Sequence, residues 1–173
     1  MKTRNRQSGW SLLELLVTVG IILILAAIAI PNLLQAHQAA QQSSATESLH
    51  SIAVAENTYL ELYPVGYAGN LAALGTPGGG CTDAPSASQS CLIDAAITSG
   101  QKDAYVFNVV AYNGNGTVQS PYLGFVAYAT PFTGENGQEA FCVDEFGLSV
   151  HVDDLGLMRP TNASGCEAYS PMQ

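Results

Sequence analysis

The sequence predicts an α+β protein in which one long N-terminal stalk helix, membrane-spanning and kinked at Pro31, packs on a small antiparallel β-sheet head. Three observations lead there. Trp10 to Ile30 is an apolar run whose only charge is Glu14. Residues 32–63 contain neither Gly nor Pro. Beyond them come short runs rich in Tyr, Val and Phe, separated by Gly, Asn and Pro, and all four cysteines.

The first nine residues hold Lys2, Arg4 and Arg6, three of the five basic side chains of the chain. The 21 residues from Trp10 to Ile30 would cover about 31 Å as a helix, the thickness of one bilayer core. Basic residues stay on the cytoplasmic side, so the chain beyond the span faces the periplasm or exterior. The same features fit an ordinary secretory signal, with the small residues of LAAIA as a cleavage site, or an uncleaved anchor. Neither explains a carboxylate at Glu14, which is costly in an apolar span without a partner.

Gly9-Trp10-Ser11-Leu12-Leu13-Glu14-Leu15-Leu16-Val17, followed by Ile28-Ala29-Ile30-Pro31-Asn32, resembles the class III signal of type IV pilins and type II secretion pseudopilins. The resemblance implies cleavage by a prepilin peptidase between Gly9 and Trp10 and N-methylation of the new amine. Trp10 stands where that family usually has phenylalanine. The resemblance further implies a helical homo-oligomeric filament, built by an inner-membrane assembly platform and a cytoplasmic ATPase. Before assembly the chain would be a single-pass inner-membrane protein with a periplasmic head, and afterwards part of an extracellular pilus. Glu14 would pair with the Trp10 amine of a neighbouring subunit and set its axial register, because pairing offsets the desolvation of both charges. Gly20 weakens the helix, and Pro31 removes a donor and crowds the carbonyl of Ala27, so a bend or an opened segment is expected between them.

The helix is expected to continue to Tyr63 and stop at Pro64 and Gly66. Leu49, Ile52, Ala53, Tyr59, Leu60 and Tyr63 recur at helical spacing and form the stripe that meets the head. Glu47, Glu56 and Glu61 read as a solvated face. His37 and His50 are too far apart to share a metal and read as solvated. The organisation is therefore a leader over 1–9, a stalk over 10–63 and a head over 64–173.

In the head, residues 64 to 89 read as loop, and 92–97 as a short helix capped near Ser90 and ended by Gly100. Strands are expected at Tyr105–Tyr112, Tyr122–Ala129, Glu139–Val143 and Leu148–Val152, in a sheet of three or four strands with one buried face. Turns fall at Asn113–Gly116 and Asp144–Gly147. The order of these turns and strands loosely resembles the heads of some Gram-negative pilin-like proteins. An even number of cysteines in an exported region implies disulfides. Of three connectivities, Cys81 with Cys91 and Cys142 with Cys166 close local loops, and the second would contribute about 3 kcal/mol by chain entropy.

Removing the leader leaves two basic side chains, Lys102 and Arg159, against fourteen acidic ones, a formal net charge of −12. Such a body repels polyanions, which argues against direct nucleic-acid binding. No hydrolase, kinase or dinucleotide motif occurs, so no catalytic residue and no cofactor are expected. The pseudopilin resemblance allows calcium ligands at Asp144, Asp153 or Asp154, set against a plain acidic turn. Asn115-Gly116-Thr117 and Asn162-Ala163-Ser164 match the glycosylation pattern and read as surface turns. The function these features imply is a structural subunit of a type IV pilus. A type II secretion pseudopilin is the alternative, and a soluble secreted enzyme or binding protein the third.

Overall fold

A computed structural model describes residues 10–75, 81, 84–132, 139–146, 150–153 and 158–172. The fold is α+β and pilin-like: a long apolar N-terminal helix and a six-stranded antiparallel sheet. The chain divides into two compact units, Met1–Ala39 and Ala40–Gln173, and the boundary falls within the first helix.

Helix α1 runs over Leu12–Leu62. Its first bond is donated by Leu15 N–H to the Ser11 carbonyl at 3.1 Å, and its last turn closes with Tyr63 N–H on the Tyr59 carbonyl at 2.9 Å. Pro64 then ends it, as its ring and missing donor require. The segment stays helical through both Gly20 and Pro31. The opened stretch expected there is absent from the single chain, because the flanking leucines, isoleucines and alanines favour helix enough to carry it past the lost donor and the crowded Ala27 carbonyl.

The head unit is an antiparallel meander in the order β1 to β6: Gln101–Lys102, Tyr105–Tyr112, Gly124–Pro131, Ala140–Asp144, His151–Asp153 and Ser170–Pro171. Strand β2 pairs with β3 along its whole length, from Tyr105 opposite Pro131 to Tyr112 opposite Gly124. Between them Asn113 and Gly116 adopt the left-handed conformation that asparagine and glycine tolerate best, at φ 57° and 71°. Two-residue strands β1 and β6 raise the sheet beyond the three or four strands expected. The final strand expected from Leu148 is observed over His151–Asp153, and Leu148 itself lies outside the described residues, as does Gly147 of the neighbouring turn.

Alternation sorts the central strands onto two cores. Phe125, Ala127 and Ala129 of β3 and Phe141 and Val143 of β4 join Leu49, Ile52, Ala53, Ala55 and Tyr59 of α1 in the larger core. The intervening Val126, Ala140 and Cys142 pack with Met158 and Cys166 in a smaller one. Cys166 lies on helix α4, Ala163–Glu167, so the expectation of a single buried face fails at the centre of the sheet.

Two further short helices complete the head. Helix α2, Leu71–Leu74, lies in the stretch read as loop; the Asn70 side chain caps it by accepting from Ala73 N–H at 3.0 Å. Helix α3, Ala95–Thr98, is capped by Asp94, which accepts from Ile97 N–H at 2.9 Å. Ser90, the expected cap, instead donates its hydroxyl to the Ala73 carbonyl at 2.8 Å. Asn162, read as a surface turn, caps α4 by accepting from Gly165 N–H at 2.8 Å.

Candidate functional site

The exceptional surface of this chain is the first part of α1. Between Trp10 and Leu34 sixteen large apolar side chains are each at least 47% exposed. They point to every side of the helix, so no single neighbouring face can cover them. Full burial of a leucine or isoleucine is worth about 1.5 to 3 kcal/mol. A surface this large therefore demands lipid or other helices around it. The segment is long and apolar enough to cross a membrane, and none of it is buried within the chain.

Glu14 lies in the first turn of α1, the end where exposed backbone N–H groups favour negative charge. It is exposed, and Trp10 precedes the helix four residues away. Gly9 lies outside the described residues. Gly20 has nothing within 4 Å of the position a Cβ would take.

In the head, disulfides join Cys81 to Cys91 and Cys142 to Cys166. The second ties central strand β4 to α4, and both of its cysteines are fully buried. The two described calcium candidates do not converge. Asp153 is paired opposite Ala140, whereas Asp144 stands four residues further along β4, about 13 Å away, and Asp154 lies outside the described residues. One calcium needs its oxygens at about 2.3 to 2.6 Å, so Asp144 and Asp153 do not share an ion.

Ligand-type atoms of Asp144, His151 and Cys166 do approach within 4.8 Å of one another. However, the Cys166 sulfur belongs to a disulfide and offers no thiolate. Asp144 accepts from Phe146 N–H at 3.0 Å, and His151 Nδ1 lies 2.9 Å from the Tyr169 carbonyl. Among the described residues a two-residue set remains, short of a metal centre.

Two clefts of the head, among the described residues, are poor in reactive groupings. One of about 420 Å³ is lined by Tyr59, Tyr67, Tyr122, Asn70 and Asn115 among others, with no charged side chain. Another is lined by Tyr112, Glu145 and Glu167, and there Tyr112 donates to the Glu145 carboxylate and accepts from Ala163 N–H at 3.1 Å. Burial and the bond to Glu145 push the Tyr112 hydroxyl well above its ordinary pKa, so it stays a donor and serves no acid–base role near neutrality.

Two expectations for the stalk stripe need correction. Leu60 is 41% exposed, and Glu56, placed on the solvated face, is fully buried. Glu56 lies four residues after Ile52 and three before Tyr59, on the very stripe that packs into the head. Glu47 and Glu61 are exposed as expected.

Residues 4–30 match the family described as "Prokaryotic N-terminal methylation motif". The chain thus carries the class III prepilin signal of type IV pilins and pseudopilins, and this signal together with the apolar helix fits membrane anchoring. Comparison with curated proteins and with solved structures gave no match.

Proposed function

We propose that this chain is a structural subunit of a type IV pilus, polymerising through the apolar part of α1. The observation that carries the reading is the exposed apolar surface from Trp10 to Leu34, coupled to a processing signal that leaves it in the mature protein. A prepilin peptidase cuts between Gly9 and Trp10, and the new amine is methylated. The segment first anchors the subunit in the inner membrane with its head in the periplasm. An assembly platform and a cytoplasmic ATPase then move it into an extracellular filament, where neighbouring helices replace lipid. The lipid is as apolar as the partner helices, so specificity has to come from something polar.

Glu14 supplies it. An incoming subunit brings a cationic Trp10 amine, and only one axial position places that amine on the Glu14 carboxylate of its neighbour. Gly20 and Pro31 mark the stretch that adjusts during packing. Lateral burial can displace helix bonds there at low cost, since Pro31 already lacks a donor. A shorter periplasmic pseudopilus of a type II secretion system uses the same signal and helix; two disulfides favour the exposed pilus, where no chaperone renews the fold.

The test is Glu14→Ala in a strain that assembles the wild-type chain. Processed subunit should accumulate in the membrane while sheared filaments fall at least tenfold. Wild-type amounts of filament with unchanged helical symmetry would refute the register role of Glu14.

A further inference from the structure

Helix α1 carries one charged side chain into the core of the head. Glu56 is fully buried; its Oε2 accepts from Ala68 N–H at 2.7 Å, and its Oε1 has no partner among the described residues. Among the described residues no cation balances it. Tyr59 on the same helix and Tyr67 on the connection after α1 lie within its electrostatic reach, with Tyr63 beyond the first and Glu145 beyond the second. Every one of these is neutral or negative. Lys102 is engaged with the Ser48 hydroxyl at 2.9 Å, about 12 Å away along the helix axis, and Arg159 is exposed.

The bond to Ala68 holds a particular piece of chain. The connection from Val65 to Asn70 is fastened on its other side to the residue leading into β3, by Tyr67 N–H on the Tyr122 carbonyl at 3.2 Å and Tyr122 N–H on the Val65 carbonyl at 3.0 Å. Glu56 is thus the only side chain of α1, among the described residues, whose hydrogen bond reaches this connection. We propose that Glu56 is a proton-operated latch: its neutral carboxyl fastens the 65–70 connection to α1, and loss of the proton to solvent makes that fastening open more readily.

The electrostatics agree with the geometry. Burial pushes the carboxyl from its ordinary 4.5 up to about 8, with the Ala68 bond pulling the other way. A raised acid pKa means that the closed state prefers the proton. The latch is therefore strongest below pH 4.5, weakens as pH rises, and has lost its full contribution once pH passes about 8. Within that window the opening constant climbs up to about tenfold per pH unit, because the opened carboxyl ionises freely and the closed one does not.

Amide hydrogen exchange at Ala68 in the full chain in detergent micelles, from pH 5.5 to 7.5, tests this against Glu56→Gln. After correction for intrinsic exchange, wild-type protection should fall at least tenfold across the range. The Gln variant, which keeps the acceptor but cannot ionise, should hold its protection within about threefold. Flat wild-type protection, or an equal fall in the variant, overturns the proposal. Should the variant fail to fold, direct NMR titration of the Glu56 carboxyl in the wild type decides alone: a midpoint above 6.5 supports the latch, and one at or below it overturns it.

Discussion

Gly66→Ala probes how the stalk hands over to the head. Gly66 has φ +86°, and a Cβ there would overlap the backbone of Tyr122, with its nitrogen at 2.6 Å and its carbonyl carbon at 2.9 Å. Backbone cannot rotate away as a side-chain tip does, so the connection has to move. The left-handed conformation costs a non-glycine residue about 1 to 2 kcal/mol. Displacing the connection also sacrifices the two bonds between Tyr122 and residues 65 and 67, at about 1 kcal/mol each. Together these predict a loss of about 3 to 4 kcal/mol. For a folding unit of the size of Ala40–Gln173 that lowers Tm by about 10 to 16 °C. The assay is calorimetry of the full chain in micelles at pH 5, where Glu56 is neutral. Gly69→Ala is the control: its Cβ meets the Tyr122 ring at 3.2 Å, a contact that a side chain can relieve. A Gly66→Ala protein melting within about 2 °C of wild type would show that neither the strain nor the two bonds matters.

Other perturbations separate the parts of the molecule. Replacing Cys142 and Cys166 together by Ala opens a loop of 24 residues and should reduce stability by about 3 kcal/mol, read as a lower midpoint in denaturant with the slope little changed. Gly20→Ala should leave unfolding of the head unaltered, because the added methyl meets nothing within 4 Å, yet reduce filament yield in electron micrographs if, as proposed, this segment adjusts during packing.

Much of the fold is legible because its longest elements carry strong periodic signals. The run Tyr105–Tyr112, bounded by glycine and asparagine turns, marks β2 to the residue, and the absence of Gly and Pro after Asn32 marks the reach of α1. Two-residue strands such as Ser170–Pro171 have no periodicity to read; they form only because β5 offers an edge. Helix α2 is four residues long, below the length at which spacing identifies a helix, and Asn70 is its one available sign.

Glu56 shows a different failure. Its spacing from Leu49, Ile52 and Tyr59 places it on the buried stripe, while its charge argues for solvent. Position prevails because the surrounding core is already assembled by Leu49, Ile52 and Tyr59, and a proton removes the charge at modest cost. Conversely, the acidic residues 144 and 153 are near neighbours in sequence, and only strand register shows them to be far apart in space.

As a pilus subunit, the chain would keep its apolar segment after maturation and use it as the assembly surface. Intact-mass and N-terminal fragmentation analysis of the chain purified from sheared surface filaments checks this. A mature terminus at N-methylated Trp10, with residues 10 to 30 retained, is the predicted result. A chain beginning near Ile30 and recovered as a soluble monomer would contradict the account.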